Sequence, residues 1–211
     1  MSAVPDRSGA RPGVAAFDFD GTLVPGDSLA PFLRRLLGPR ALPAIGASTP
    51  AMAGAYRHGG RDAAKAALLS RILAGVHADT VERHGRAYGP GLQHRIRPAM
   101  RQRLDWHRSR GHRLVLVSAS LAAYLEPFGA AVGFDEVIAT RLEVNAAGHL
   151  TGRLLGANVR GEEKAVRLRT AIGEEPVELW AYGDSAGDTE MLAMADHPMR
   201  VGRRAKPPAS P

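Results

Sequence analysis

Three short apolar runs in this sequence each end in polar or acidic residues, and this pattern constrains the fold more than any other feature. The runs cover residues 14–17, 114–117 and 179–182. Helical patterns separate them, and strands that alternate with helices form a mostly parallel sheet with helices on both faces. The carboxyl ends of parallel strands face the same side. We therefore expect the polar residues after the three runs to converge at one edge of an α/β fold.

The segment between the first two runs has no strand pattern and predicts an all-helical insert. Residues 40–59, which are rich in Ala, Gly and Pro, give no clear assignment. The predicted helices, from apolar periodicity and from Gly and Pro at their boundaries, cover residues 28–37, 62–74, 77–88 and 98–110. We therefore divide the chain into an α/β core, residues 1–27 and 112–211, and a helical insert, residues 28–111.

After residue 111 the pattern alternates again, as expected for the second half of a wound sheet. A turn at residues 145–148 predicts a hairpin between strands at 142–144 and 150–154. The remaining predicted strands cover residues 113–117, 137–139, 177–182 and 198–201, and the remaining predicted helices cover 121–128, 162–171 and 188–195. Residues 202–211 are basic and Pro-rich, and we expect a frayed tail.

Composition excludes several classes of protein. The chain has 211 residues, of which 45% are hydrophobic, so it is long and apolar enough to bury a core. It has no cysteine, which excludes disulfide scaffolds, Cys-ligated zinc and thiol nucleophiles. The polar N-terminus lacks the apolar segment of a signal peptide, and no run approaches the length of a transmembrane helix. We therefore expect a cytoplasmic protein.

The net charge of +7 is unevenly distributed along the chain. Residues 28–110 contain 15 lysines and arginines against four acidic residues, whereas the remainder contains 13 against 17. The basic insert has three interpretations: a solvated surface, a funnel for anionic substrate, or a surface that binds nucleic acid or anionic lipid. Aromatic residues make up only 5% of the chain, which leaves few platforms for base stacking. We expect neither nucleic-acid binding nor stable membrane association.

The polar residues at the strand ends have the chemistry of phosphoryl transfer. Asp18 and Asp20 follow the first run, and Asp184 and Asp188 follow the third. Carboxylates this close together are costly unless a cation compensates them, and an oxygen-only donor set favours Mg²⁺. Lys164, at the start of a predicted helix, can reach the same edge. A carboxylate can act as a nucleophile, and a neighbouring one can shuttle protons.

The motifs DFDGT at 18–22, Ser118, Lys164 and GDSAGD at 183–188 resemble, in order, the four motifs of the haloacid dehalogenase (HAD) superfamily of phosphohydrolases. The helical insert resembles the C1 cap of its phosphoserine phosphatase-like branch, subfamily IB. The resemblance implies that Asp18 is the nucleophile that forms a phosphoaspartyl intermediate and that Asp20 is the acid/base.

The resemblance also implies the roles of the remaining motif residues. Ser118 with Ala119 and Lys164 would hold the phosphoryl group. Mg²⁺ would be bound by the Asp18 carboxylate, the Asp20 backbone carbonyl and Asp184, while Asp188 would bind it through water or orient Lys164.

The resemblance does not identify the substrate. Asp27 stands where phosphoserine phosphatases tend to have a glutamate that contacts the substrate amine, but it could instead cap the following helix. Gly187 stands where they often have an asparagine. Our leading hypothesis is a Mg²⁺-dependent phosphatase of a small phosphorylated metabolite. The alternatives are a phosphotransferase to an acceptor alcohol, a lipid-phosphate phosphatase, and a non-catalytic basic binding protein.

Overall fold

A parallel sheet with helices on both faces forms the frame of the protein. The computed structural model describes residues 11–202, without the side chains of residues 41, 42, 59 and 61. In chain order the elements are β1 (Gly13–Phe17), α1 (Leu29–Leu37), α2 (Ala41–Leu73), α3 (Ala78–Tyr88), α4 (Pro98–Ser109), β2 (Arg113–Leu121), α5 (Ala122–Val132), β3 (Glu136–Thr140), β4 (Leu142–Val144), β5 (Leu150–Leu154), α6 (Glu162–Ile172), β6 (Glu178–Gly183), α7 (Thr189–Ala193) and β7 (His197–Arg200). Short 3-10 helices cover Gly38–Arg40, Pro90–Arg95 and Ala186–Asp188.

The sheet has five parallel strands in the order β3-β2-β1-β6-β7. β1 lies at the centre, where Ala16 is opposite Val115 of β2 and Ala181 of β6. Because these three strands run in the same direction, their carboxyl ends lie at one edge of the sheet. The predicted α/β fold and the predicted β4–β5 hairpin are both confirmed.

Side chains alternate along β1 between two separate hydrophobic cores. Ala15 and Phe17 face a large core, and Val14 and Ala16 face a smaller one. This alternation is the period-2 geometry of a strand that is covered on both faces. The large core contains Phe32, Leu69, Val81, Leu104 and Leu125 from α1–α5, and the smaller core contains Leu168 and Met191 from α6 and α7.

The connection from β1 to β2 contains helices α1–α4 and no named strand within the described residues. α4 packs directly on the sheet: the His107 ring lies edge-on to Phe17, and its Nε2 is 2.9 Å from the Tyr182 hydroxyl. The division into a core and a cap at residues 28–111 stays a prediction. If it is correct, α4 is a cap helix that packs directly on the sheet of the core.

Residues 40–59, left unassigned from the sequence, contribute most of the first half of α2, a helix of 33 residues that continues through Pro50. Apolar periodicity is absent there because the helix buries little: between residues 43 and 63, Ser48 is the only described side chain that is fully buried. The hydroxyls of Ser48 and Thr49 donate to the carbonyls one turn earlier, which suits a helix that has few side-chain contacts.

Two other elements near the carboxyl edge of the sheet have boundaries that differ from the predicted ones. β2 continues beyond the predicted end at residue 117 to Leu121, so Ser118 lies within the strand. The helix predicted at 188–195 is a 3-10 turn followed by the short α7. Most of the predicted tail, at residues 203–211, and residues 1–10 lie outside the described residues. Within residues 11–202, no helix combines the length and hydropathy needed to cross a membrane.

The α3–α5 contact gives a test of the packing. A Cβ at Gly85 would lie 1.9 Å from the Ala123 carbonyl oxygen, so Gly85→Ala must push the two helices apart. We expect the free energy of unfolding to fall by about 1–3 kcal/mol in urea denaturation, despite the better helix propensity of alanine. Gly91→Ala is the control because a Cβ there meets nothing within 4 Å. Equal stability of the two variants would contradict the close contact.

Candidate active site

A buried ion-pair triad stands at the carboxyl edge of the sheet. Lys164 Nζ lies 2.6 Å from Asp18 Oδ1 and 2.6 Å from Asp188 Oδ1. The three side chains are only 2%, 9% and 1% exposed, respectively. Buried charges occur in proteins when they are paired and hydrogen-bonded, as these are. The structure therefore brings together three of the predicted site residues.

Parallel strand direction explains why residues so distant in sequence meet. Asp18 directly follows β1, and its backbone N–H donates to the carbonyl of Tyr182 on β6 at 2.9 Å. Lys164 lies in the first turn of α6, on its buried side. Asp188 ends the 3-10 turn after β6. Each element thus delivers one charged side chain to the same edge.

The loop after β6 holds Asp188 in place. Its Oδ2 accepts hydrogen bonds from the backbone N–H of Asp184 at 3.2 Å and from the N–H and hydroxyl of Ser185, each at 2.9 Å. A Cβ on Gly183 would lie 2.4 Å from the Asp188 Cβ, so only glycine fits there without displacement. Asp188 is therefore held in place as an ion-pair partner of Lys164.

Burial has different net effects on the members of the triad. It raises the pKa of Asp18 to about 6, against the opposing field and hydrogen bond of Lys164. Burial would also raise the pKa of Asp188, but Lys164 and Ser185 outweigh it and hold that pKa below its usual value. For Lys164, burial is outweighed by the two carboxylates, which raise its pKa. The lysine is therefore cationic at neutral pH.

Three carboxylates of the site are positioned to share a cation. Ligand oxygens of Asp18, Asp184 and Asp188 all lie within 4.8 Å of one another. Asp18 Oδ2 is buried and has no hydrogen-bond partner among residues 11–202. Burial also raises the pKa of Asp184, as expected for a carboxylate that lacks sufficient positive charge nearby. A hard divalent cation with oxygen ligands, such as Mg²⁺, fits this donor set.

Gly21 makes room for the Asp184 side chain. A Cβ at Gly21 would lie 2.1 Å from Asp184 Oδ2, and its φ of +88° is in the left-handed region that glycine adopts without strain. The DFDGT turn and the second acidic motif are therefore in direct contact.

Asp20 occupies a different environment, built from hydroxyl groups. Its Oδ2 accepts hydrogen bonds from Ser28 at 2.9 Å and Ser120 at 2.5 Å. The Tyr124 hydroxyl lies 3.0 Å from the Ser28 hydroxyl and extends this network into the core. Asp20 Oδ1 has no partner within the described part of the chain. Burial raises the pKa of Asp20 to about 6, although Ser120 and Ser28 act against that rise.

Ser118 and Ala119 lie on the last residues of β2. Ser118 is 2% exposed, and its hydroxyl oxygen accepts a hydrogen bond from the backbone N–H of Ser120 at 3.1 Å. Its hydroxyl hydrogen remains able to donate to a bound anion. The carbonyl of Ala119 accepts a hydrogen bond from Lys65. The roles of Ser118 and Ala119 in phosphate binding stay a prediction.

Asp27 is not brought into the buried cluster. It is exposed, and its Oδ2 accepts a hydrogen bond from the backbone N–H of Ala30 at 2.8 Å, in the first turn of α1. The capping contact considered from the sequence is thus present. Substrate contact by Asp27 stays a prediction.

Sequence reasoning missed the residues that surround Asp20. Ser120 lies two residues after Ser118 on one strand, so the period of the strand could have placed both hydroxyls on one side. Ser28 and Lys65 gave no such signal, because their contacts depend on how α1 and α2 pack. Arg97 was also missed: its guanidinium donates to the Gly21 carbonyl at 3.1 Å, and its charge opposes the raised pKa of Asp184.

Comparison with known proteins bears out the resemblance. A sequence model of the haloacid dehalogenase-like hydrolase family matches residues 15–193. Protein CicA of Caulobacter vibrioides is 38% identical over 193 residues, which are 89% of this chain and 85% of that protein. A phosphoserine phosphatase of Idiomarina loihiensis is 34% identical over 101 residues, which are 46% of this chain and 46% of that protein.

The fold also matches a solved structure. A solved structure of a phospho-aspartyl intermediate analogue of phosphoserine phosphatase superposes with a TM-score of 0.61 at 22% identity. The match covers 88% of this chain and 84% of that one. At this identity the likeness shows a shared fold.

The ion-pair triad can be tested through stability. Lys164→Met leaves two carboxylates buried without their cation, so we expect a loss of about 3–5 kcal/mol in urea denaturation at pH 7.5 with EDTA. The loss should shrink at pH 5, because the carboxylates whose pKa rises in the variant then take up protons. Arg169→Met, exposed on the same helix, should change stability little. Equal effects of the two substitutions would contradict a buried triad.

Proposed function

Because the chain belongs to the haloacid dehalogenase-like hydrolase family, we propose that it is a Mg²⁺-dependent phosphatase that hydrolyses a small phosphate monoester through a phosphoaspartyl intermediate on Asp18. The observation that carries this proposal is the buried Asp18 carboxylate. One of its oxygens is paired with Lys164, and the other has no partner among residues 11–202. The names of the phosphoserine phosphatase relatives support the same reaction class.

Asp18, Asp184 and the backbone carbonyl of Asp20 would hold the metal, with Asp188 acting through water or through Lys164. Three carboxylates against one lysine leave the site with excess negative charge, which a divalent cation would balance. When bound, Mg²⁺ would neutralise phosphate charge and stabilise the charge that develops during transfer.

In the first step, an oxygen of the Asp18 carboxylate attacks phosphorus, and the bond from phosphorus to the ester oxygen breaks. Asp20 gives its proton to the departing alkoxide through Oδ1, the oxygen without a partner. Ser28 and Ser120 hold the other oxygen, so the carboxyl group stays oriented during transfer. Ser118 and Lys164 bind phosphoryl oxygens, which places phosphorus next to Asp18.

In the second step, Asp20 is a carboxylate and takes a proton from water. The water oxygen attacks phosphorus, and the bond between phosphorus and Asp18 breaks, which releases inorganic phosphate and restores Asp18. A pKa near 6 suits both roles, because Asp20 must give and accept a proton within one cycle near neutral pH.

The substrate we propose is a small phosphorylated metabolite bound beneath the helical insert, in a cytoplasmic enzyme without nucleic-acid partners. Phosphoserine is one candidate, although Asp27, which is exposed, and Gly187, which is buried, differ from the residues typical of phosphoserine phosphatases. The excess of arginine in residues 28–110 would attract anionic substrates.

Replacement of the nucleophile tests the mechanism. Asp18→Asn should lower kcat for para-nitrophenyl phosphate by at least about 1,000-fold, because an amide does not form the covalent intermediate. Circular dichroism should show an unchanged fold. Asp79→Asn makes the same chemical change at a side chain that is 80% exposed and should retain full activity. Normal turnover by Asp18→Asn would refute the proposed nucleophile.

Metal binding can be measured without activity. In the metal-free protein the pKa of Asp18 is about 6, above its unfolded value of 3.8, so stability should fall as pH rises from about 4 to 6. Mg²⁺ at about 100 times its Kd should then raise the Tm by about 5–10 °C at pH 7.5, and by less at pH 5. Asp184→Asn should largely remove this shift. A shift that persists in that variant would place the ion elsewhere.

A further inference from the structure

Lys65 connects the insert to the strand that carries Ser118. It lies on α2, and its ammonium donates to the backbone carbonyl of Ala119 and to Asn158 Oδ1, the latter at 2.8 Å. Asp62, nearly one turn earlier on α2, accepts a hydrogen bond from Asn158 Nδ2 at 2.7 Å. The Thr140 hydroxyl, at the end of β3, also donates to Asn158 Oδ1 at 2.9 Å. α2 therefore contacts the carboxyl edge of the sheet through two polar side chains.

Lys65 carries its positive charge near neutral pH, although burial disfavours the charged form. Burial lowers its pKa to about 8, while Asp62, Asp20 and Asp27 oppose that effect. The bond to Ala119 is thus charge-assisted near pH 7, and such bonds are stronger than neutral ones.

The peptide group that Lys65 contacts also contacts Ser118. The carbonyl of Ala119 and the N–H of Ser120 belong to one peptide group, and that N–H donates to the Ser118 hydroxyl oxygen at 3.1 Å. A cation at the carbonyl polarises the group and strengthens donation by the N–H. With its oxygen used as an acceptor, the Ser118 hydroxyl directs its hydrogen toward another acceptor.

The same peptide group also affects the position of Asp20, the proposed acid/base. The Ser120 side chain donates to Asp20 Oδ2 at 2.5 Å, so a rotation of the peptide would move this hydroxyl as well. One contact from α2 therefore constrains both Ser118 and the group that holds Asp20.

We propose that Lys65 is a positioning residue, which fixes the Ala119–Ser120 peptide so that Ser118 is oriented toward the phosphoryl group and Asp20 is held for proton transfer. The inference rests on the proposed phosphatase function. The positioning role would make catalysis in the core depend on how α2 packs against β2. A direct role for Lys65 in binding the distal part of the substrate is the competing explanation.

Steady-state kinetics with two esters distinguish these roles. Lys65→Met should lower kcat about tenfold for both para-nitrophenyl phosphate, whose distal group is a neutral aryl ring, and phosphoserine, which carries a carboxylate. KM should change little, because the oriented hydroxyl matters most in the transition state. Lys65→Arg should recover most of the activity. The matched control is Arg71→Met, an exposed position on the same helix, which should behave as wild type.

An NMR measurement tests the positioning role of Lys65 without relying on enzyme turnover. In ¹⁵N-labelled protein the Ser120 amide proton should shift upfield in Lys65→Met, because its hydrogen bond to Ser118 weakens, and should keep its position in Arg71→Met. If Lys65→Met does not fold, Lys65→Gln keeps a neutral donor and should give a smaller shift and a smaller loss of kcat.

The outcomes separate the hypotheses. A loss confined to phosphoserine, with a raised KM, would overturn the positioning role in favour of direct substrate contact. An unchanged Ser120 amide proton, or full activity of Lys65→Met with both esters, would also overturn it. If the wild-type protein hydrolyses neither ester, the proposed function fails, and the amide shift still decides whether Lys65 controls this peptide.

Discussion

The contact of one buried ammonium with two buried carboxylates is the interaction on which the rest of the site depends. Lys164 joins the end of β1, through Asp18, to the loop after β6, through Asp188, and it does so from the start of α6. Desolvation of three charges costs several kcal/mol per ion, which only close pairing and further hydrogen bonds can offset. The pairing is incomplete: with Asp184 included, the cluster has more carboxylates than cations. Because of this imbalance, we expect a further cation or protons to stabilise this edge of the sheet.

Two aspartates on one turn acquire different chemistry because their surroundings differ. Burial raises the pKa of both Asp18 and Asp20 to about 6. The main group that opposes this rise is Lys164 for Asp18, whereas two serine hydroxyls oppose it for Asp20. A carboxylate paired with a cation remains an anion that can attack phosphorus, whereas one held by neutral hydroxyls can exchange a proton without breaking an ion pair. The distinct roles that we propose for Asp18 and Asp20 thus follow from what each side chain touches.

The sequence predicted the parts of this arrangement that depend on strand direction alone. Asp18 and Asp184 follow two adjacent parallel strands, and Ser118 lies near the carboxyl end of a third, so their placement at one edge needs only the topology. The first half of α2 was not predicted, because a helix with little burial carries no apolar stripe. The contact of Ser28 with Asp20 and that of Lys65 with Ala119 were not predicted either, since they depend on the packing of the insert. Motif spacing therefore located the groups that we propose to react but not the groups that orient them.

The site has two sides with different structural origins. On the nucleophile side, Asp18 is held by Lys164 and Asp188, from elements that form the sheet and its covering helices. On the acid/base side, the predicted cap contributes beside Ser120 of β2: Ser28 at the start of α1 binds Asp20, and Tyr88 at the end of α3 donates to the Ser28 carbonyl at 3.1 Å. A change in how the insert packs would leave the first side intact and disturb the second. In the mechanism that we propose, the insert can therefore adjust proton transfer to the leaving group, which varies between substrates, whereas the ion pairs that hold the nucleophile Asp18 belong to the core.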